Sequence, residues 1–182
     1  MRTEVRLAGS GGQGLILAGI VLAEAAGLYD GMQVVQSQVY GPESRGGASR
    51  ADVIVADTEI DYPKAIALDV LLVMSQDAYA RFGRQVRAGG LVLYDADLVD
   101  VGHSSPRAIG LPLTRVARDQ IGKVITATMV GLGAVVELSG VVSRVALEAA
   151  AAARAPGGTA KLNLTAIRQG YTLAAEAQEV CP

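Results

Sequence analysis

The chain has 182 residues, of which 51% are apolar and 19% charged, a composition that excludes a fibrous or disordered protein. Sixteen Lys and Arg against eighteen Asp and Glu give a net charge of −2. No run of like charges could follow a phosphate backbone, so we expect no nucleic-acid partner. The single cysteine, Cys181, excludes an internal disulfide framework, a four-cysteine iron–sulfur site and a structural zinc site within this chain.

The first elements predict the start of a parallel α/β unit. A short strand, residues 5–8, leads into a glycine-rich loop from Gly9 to Gly14, and an apolar helical segment, residues 15–28, follows. A strand, a glycine loop and a helix in this order are typical of such units. Charges within residues 1–6 interrupt the apolar stretch that a signal peptide needs, so we expect a cytoplasmic protein.

The remaining pattern predicts alternating strands and helices. Ser75 is expected to cap a helix that ends at Gly89-Gly90 in the manner of a glycine C-terminus. The last third, from Thr128 to Val180, predicts three helices, broken near Gly140 and at residues 156–158. Further strands are predicted at 33–39, 51–56, 69–74, 91–94 and 108–109, and a helix at 115–121. No linker divides the chain, so we predict a single three-layer α/β/α, Rossmann-like domain with a helical C-terminal part.

Two of the predicted helices lack a polar face. Between Gly14 and Leu28 the only charge is Glu24, and residues 124–142 contain only Glu137. The second segment approaches the length of a membrane span, but its Thr, Ser and Gly residues favour a helix buried in protein, so we expect no membrane association. We expect part of this apolar surface to form an interface with another subunit; alternatively, both helices lie in the middle of the domain.

The loop Gly9-Ser10-Gly11-Gly12-Gln13-Gly14 matches G-x-G-x-x-G. Glycines at such a turn let backbone N–H groups approach an anion, and the following helix N-terminus adds partial positive charge. A dinucleotide site also needs an acidic residue at the end of the second strand, and none lies between Asp30 and Glu43. The missing acidic residue makes a dinucleotide site a weaker interpretation of the loop. We expect the loop either to bind another phosphate group, such as that of coenzyme A, or to form a tight turn against a partner.

A second polar loop follows the strand at 33–39. Its sequence from Ser37 to Arg50 is rich in glycine and hydrogen-bonding groups, and we expect it at the same sheet edge as the first loop. Arg45 offers a two-point contact to a carboxylate or phosphate. The alternative is a local Glu43–Arg45 ion pair that orders a surface loop.

Three other polar residues receive structural interpretations. His103, the only histidine, is expected to be a solvated loop residue. Asp95 and Asp97 follow the predicted strand at 91–94. Two carboxylates alone are a weak metal signal, so we expect them to cap a helix or turn.

These motifs together resemble the gamma subunit of 2-oxoacid:ferredoxin oxidoreductases, most of all the 2-oxoglutarate type. The resemblance extends over nearly the whole chain, and the long Ser-to-Arg motif is more specific than the glycine loop. It is carried by residues 9–14, 37–55, 59–63 and 163–171. One departure is Thr128, where many relatives have Asn, which puts in doubt any role of an amide there.

The resemblance implies one gamma-type catalytic domain over residues 1–182, in a subunit that is not active alone. The complex would decarboxylate a 2-oxoacid oxidatively, form an acyl-coenzyme A and pass electrons to ferredoxin. Its alpha and beta subunits, with or without a ferredoxin-like delta subunit, would carry thiamine diphosphate, magnesium and the iron–sulfur clusters. This chain alone would bind none of these, and it lacks the Gly-Asp-Gly and Asn-Asn motif that holds thiamine diphosphate.

The resemblance also implies a cofactor-binding surface toward coenzyme A, the co-substrate, with no catalytic or metal-binding residue in this chain. Arg45 is our candidate contact to an anionic group. Two other function classes stay open: a stand-alone dinucleotide-binding oxidoreductase and a non-enzymatic scaffold. The matched positions are Gly9, Gly11, Gly12, Gln13 and Gly14 in the first loop and Tyr40, Gly41, Glu43, Arg45, Gly46 and Gly47 in the second.

Overall fold

A computed structural model describes residues 1–39, 48–102, 107–155 and 157–180. These residues form a six-stranded sheet in the order β2-β3-β1-β4-β5-β6. The strands are β1 Arg2–Ser10, β2 Gln33–Val39, β3 Ala48–Ala56, β4 Leu68–Val73, β5 Val86–Asp95 and β6 Ala108–Leu111. β3 is antiparallel to both β1 and β2, whereas β1, β4, β5 and β6 pair in parallel.

Six α-helices connect and cover the sheet. Ser75 caps α2 by accepting a hydrogen bond from the backbone N–H of Ala78, as predicted, and Ser143 caps α5 in the same way. Gly140, at φ 63°, ends α4. The helices are α1 Leu15–Glu24, α2 Gln76–Phe82, α3 Leu113–Val116, α4 Ala127–Ser139, α5 Arg144–Arg154 and α6 Ala160–Val180, with π-helical turns after α1 and α3.

The helices lie in two layers. One apolar core joins α1, α3, α4, α5 and α6 to one face of the sheet. The second core, on the opposite face, is smaller and contains α2, with Ala78 and Phe82. This confirms the predicted three-layer α/β architecture with three C-terminal helices.

The direction of one strand was not predicted, and the end of one helix was predicted wrongly. The strand after β2 is antiparallel, because the eight residues between Val39 and Ala48 are too few for the crossover that a parallel neighbour requires. The helix after Ser75 ends at Phe82, not at Gly89-Gly90. These two glycines belong to β5, where the pairing with β4 shifts register and Gly89 has a φ of 78°.

Helix α4 is apolar because the fold itself encloses it. Nearly every residue of α4 is buried between the sheet and α6. The crossing with α6 is close, since a Cβ on Gly133 would overlap the carbonyl oxygen of Ile167, and one on Gly170 would overlap that of Val130. No helix among the described residues has the length and apolar character needed to cross a membrane.

Tyr171 of α6 has an unusual environment that predicts a pH effect. The guanidinium of Arg144 lies 4.8 Å from its ring centroid. Burial, with a further contribution from the charge of Glu148, raises the pKa of Tyr171 to about 12. The folded state therefore holds the phenol proton more tightly than the unfolded state, in which the tyrosine pKa is about 10.

We expect the free energy of unfolding to fall as the pH rises from about 10 to about 12, because the unfolded chain releases the Tyr171 proton at a lower pH than the folded chain does. The loss attributable to Tyr171 should be about 1–2 kcal/mol, allowing for solvent screening. Tyr171→Phe should lack this part of the loss, so that the difference in stability between the two chains stays constant below about pH 9 and changes only above it. Urea unfolding at a series of pH values measures both chains, and parallel pH profiles would contradict the expectation.

Candidate functional site

The glycine loop lies where β1 ends and α1 begins. Gly12 and Gly14 have φ values of 89° and 82°, a left-handed conformation that favours glycine. Gly14 is the N-cap of α1 and supplies no side-chain cap. Gly11 and Gly12 are exposed, so their backbone is available to a ligand at the positive end of the helix.

The side chain of Gln13 fixes this loop from within. Its Oε1 accepts a hydrogen bond from the Ser10 N–H at 2.7 Å, and its Nε2 donates to the Met74 carbonyl at 2.9 Å. The amide lies directly over Gly9, where an added Cβ would overlap Oε1 and sit 2.8 Å from the Cβ of Met74. Gln13 therefore connects the ends of β1 and β4, and Gly9 provides the space for it.

Thr128 holds the loop from the other side. Its hydroxyl, buried in the first turn of α4, donates to the Gln13 carbonyl at 2.6 Å across 115 residues of sequence. The hydroxyl thus supplies a hydrogen bond at the position where the sequence resemblance implied an Asn. It joins α4 to the glycine loop.

Removing the Thr128 hydroxyl should weaken the connection between α4 and the glycine loop. Thr128→Val keeps the side-chain shape but leaves the Gln13 carbonyl without its donor, and we expect a loss of about 1–2 kcal/mol of stability. Thr128→Ser, which retains the hydroxyl, should lose less. Chemical denaturation measures both variants, and equal stability of the Thr128→Val and parent chains would show that the bond contributes nothing.

Two small pockets meet at Gly14. The first, of about 200 Å³, is lined by residues 10–17 and Ser49. The second, of about 170 Å³, is more apolar and lies between α1, α4 and α6. Its lining residues are Gly14, Leu17, Ile125, Thr126, Thr128, Met129, Thr159, Leu162 and Asn163.

An exposed apolar pair borders the second pocket. Val124 and Ile125 are 52% and 59% exposed, on the short 3₁₀ turn that precedes α4. They were not predicted as surface residues, because they open a continuous apolar segment that otherwise becomes the buried α4. The Lys123 just before them was the signal that this end of the segment reaches the surface.

The second predicted loop lies outside the described residues. Tyr40, Gly41, Glu43, Arg45, Gly46 and Gly47 all fall within residues 40–47, and His103 is also undescribed. The strands on either side are described: Val39 pairs with Arg50, and Ala48 pairs with Ser10. The strand ends that lead into this loop therefore lie at the same sheet edge as the glycine loop.

Asp95 has the capping role that the sequence predicted, whereas the Asp97 carboxylate forms an ion pair with Arg115. Asp95 is fully buried and accepts hydrogen bonds from the backbone N–H groups of Thr114, at 3.0 Å, and Asp97, at 3.1 Å. The hydrogen bond from Arg115 lowers the pKa of Asp97. In the part of the chain that is described, no group of three or more potential metal ligands occurs.

The described linings of the two pockets suit ligand binding through hydrogen bonds and apolar contacts. None of the described residues that line them is ionisable, so these residues offer hydrogen-bond donors and apolar surface but no acid–base pair. A loop of backbone N–H groups beside an apolar pocket suits a ligand with an anionic part and an apolar part.

Comparison with known proteins identifies the family of this chain. The family model for pyruvate ferredoxin/flavodoxin oxidoreductase matches residues 4–173. The 2-oxoglutarate synthase subunit KorC of Methanothermobacter marburgensis is 46% identical, over 98% of this chain and 100% of its own length.

Two solved structures have the same fold. The gamma subunit of a keto/oxoacid ferredoxin oxidoreductase from Geobacter sulfurreducens superposes with a TM-score of 0.89 at 42% identity, covering 97% of this chain and 98% of its own. A 2-oxoglutarate:ferredoxin oxidoreductase from Magnetococcus marinus, with 2-oxoglutarate, coenzyme A and succinyl-CoA bound, gives 0.81 at 23% identity over 96% of this chain and 31% of its own. The resemblance found in the sequence is thereby confirmed, and the chain belongs to the pyruvate ferredoxin/flavodoxin oxidoreductase family.

Proposed function

We propose that this chain is the gamma subunit of a multi-subunit 2-oxoglutarate:ferredoxin oxidoreductase. The observation that carries the proposal is the 46% identity, from end to end, to a 2-oxoglutarate synthase subunit. The reaction converts 2-oxoglutarate, coenzyme A and two oxidised ferredoxins into succinyl-CoA, carbon dioxide, two reduced ferredoxins and one proton. The complex would work in the cytoplasm.

The redox and decarboxylation chemistry belongs to other subunits in this proposal. With one cysteine, the chain does not fit an iron–sulfur cluster, which needs about four thiolates. The described residues that line the two pockets at Gly14 include no ionisable group that could act as an acid or a base. Alpha and beta subunits, with or without a ferredoxin-like delta subunit, would hold thiamine diphosphate, magnesium and the clusters.

This chain would contribute to the binding of coenzyme A. The exposed backbone of Gly11 and Gly12 at the start of α1 suits a phosphate group. The apolar pocket between α1, α4 and α6 suits an uncharged arm of the ligand. Gly9 and Gln13 would shape the loop, and Tyr40, Gly41, Glu43, Arg45, Gly46 and Gly47 would complete the surface, with Arg45 on an anionic group.

The first experiment is anaerobic purification of the tagged chain from its own host. We expect larger subunits to co-purify and the eluate to reduce an electron acceptor with 2-oxoglutarate and coenzyme A. Pyruvate in place of 2-oxoglutarate should give much less activity. Elution of the chain alone, either active with NAD(P) or inert, would contradict the subunit assignment.

The coenzyme A role is tested separately in the assembled enzyme. Arg45→Ala should raise the KM for coenzyme A about tenfold or more, as expected when a charge-assisted hydrogen bond is lost. The KM for 2-oxoglutarate should not change. Unchanged constants for both substrates would eliminate Arg45 as a contact while leaving the subunit assignment intact.

A further inference from the structure

A cluster of charged residues lies on the sheet face opposite α1. Arg6 of β1 pairs in register with Asp52 of β3, and Arg50 lies two residues earlier on the same face of β3. The ring of Phe82, the last residue of α2, packs against both guanidinium groups, at 4.9 Å from Arg6 and 5.3 Å from Arg50. The cluster therefore holds two cations and one anion.

Arg6 and Asp52 form a bidentate ion pair. The Nε and Nη2 of Arg6 donate to the two carboxylate oxygens of Asp52 at 2.6 and 2.8 Å, and its Nη1 donates to Gln85. Both residues are buried. A bidentate pair of this kind is the strong form of a guanidinium–carboxylate contact, so Asp52 has little capacity left for a second arginine.

Arg50 is the second cation, and it shares Asp52 with Arg6 through a longer ion-pair contact. Its Nε lies 3.5 Å from Asp52 but is buried without a hydrogen-bond partner, while 30% of its side chain is exposed. An N–H group in this condition is costly, because it has lost water without gaining an acceptor. The stacking on Phe82 holds the guanidinium in place, so a ligand would order it at little further entropic cost.

Two further arginines lie close to Phe82 in sequence, and the strand edge beside Arg50 has an exposed residue. Arg81 and Arg84, on either side of Phe82 in sequence, are exposed and make no ion pair with any described residue. Val39, the neighbour of Arg50 across the sheet, is 46% exposed on the edge strand β2. On the other side of the domain, by contrast, Arg144, Arg154 and Arg168 are each paired with a glutamate.

We propose that Arg50, stacked on Phe82 beside the Arg6–Asp52 pair, is a binding site for an oxyanion, either a carboxylate or a phosphate group. The two Nη groups would make the two-point contact with such a group, because the Nε is buried and faces Asp52. The oxyanion would supply the missing negative charge. The oxyanion comes from a free ion or from an acidic side chain of a partner subunit. The site lies on a different face of the sheet from the glycine loop and does not depend on coenzyme A binding there.

The test titrates the full chain with inorganic phosphate and with acetate, following binding by calorimetry and by the rise in melting temperature. Arg50→Gln should weaken binding about tenfold or more. Arg50→Lys keeps the charge but loses the fork, and we expect binding to weaken by about threefold or more. Arg168→Gln, which removes a paired arginine on the opposite face, should bind as the parent chain does.

The same variants in the assembled complex identify the source of the oxyanion. Phosphate binding by the free chain and by the complex would indicate a free ion. Binding by the free chain that is lost on assembly, with assembly weakened about tenfold by Arg50→Gln, would indicate a carboxylate of a partner.

Two results would overturn the proposal. The first is unchanged assembly of the Arg50→Gln variant, combined either with equal binding of phosphate and acetate by the parent and variant chains or with no binding by either chain. The other is phosphate binding only in Glu43→Gln, because this chain's own Glu43 would then be the acid that occupies Arg50.

Discussion

Gly133→Ala is expected to destabilise the chain by about 3 kcal/mol or more, the upper range for inserting a methyl group into a packed core. The new Cβ would overlap the Ile167 carbonyl oxygen and lie 2.9 Å from the carbonyl carbon. Backbone atoms of a neighbouring helix cannot rotate away as a side chain does. The helices α4 and α6 would have to separate, and α4 packs against the sheet on its other side.

Urea denaturation of three alanine variants measures this effect. Gly131→Ala should cost less, because its Cβ would meet only the side-chain methyl groups of Leu72, at 2.9 and 3.0 Å, and of Leu113. Gly157→Ala is the matched control, since nothing lies within 4 Å of its added Cβ. A Gly133→Ala chain as stable as the Gly157→Ala chain would contradict the close helix crossing.

Gln13→Ala is expected to disrupt the glycine loop, with the largest effect of any single change at the site. It leaves the Ser10 N–H and the Met74 carbonyl without their partners and opens a gap above Gly9. We expect a loss of about 2 kcal/mol or more in stability, since two part-buried groups lose their hydrogen bonds. In the assembled enzyme, the KM for coenzyme A should rise about tenfold to a hundredfold, because a small displacement of a binding loop is costly.

Gln13→Glu distinguishes the two hydrogen bonds of this side chain. A carboxylate can still accept from Ser10, but it cannot donate to Met74 and would face that carbonyl with a negative charge. This variant should therefore be at least as impaired as Gln13→Ala. Gln33→Ala, at an exposed position of β2, is the control. Normal stability and a normal KM in both Gln13 variants would show that the loop keeps its shape without the side chain.

Most of the fold could be predicted from the sequence because its elements have strong local patterns. Strand β4 is apolar and buried from Val70 to Val73, and Ser75 and Gly140 mark helix ends by their own chemistry. Strand direction has no such local pattern. The antiparallel course of β3 depends on the length of the connection after Val39, and the place of Gly89 within β5 depends on its pairing with β4.

Of the candidate site, only the glycine loop itself could be predicted from the sequence. Gly12 and Gly14 occupy positions that require left-handed backbone, as the motif implied. The contacts that hold the loop are long-range: Gln13 reaches Met74, and Thr128 of α4 reaches Gln13. No spacing rule connects residues so far apart in sequence, which is why the motif indicated a ligand-binding role for Gln13 and not its structural one.

The central position of β1 has a consequence for how the chain folds as it is synthesised. The first strand made has hydrogen-bonded neighbours at residues 48–56 on one edge and 68–73 on the other. The β2–β3 hairpin can form early. The second edge of β1 can pair with β4 only after residue 73 has left the ribosome. The sheet face that carries the larger apolar core is covered only after α4 and α6 have been made. Until then the nascent chain presents unpaired strand edges and apolar surface. Folding should therefore be largely post-translational, and chains truncated before α6 should aggregate.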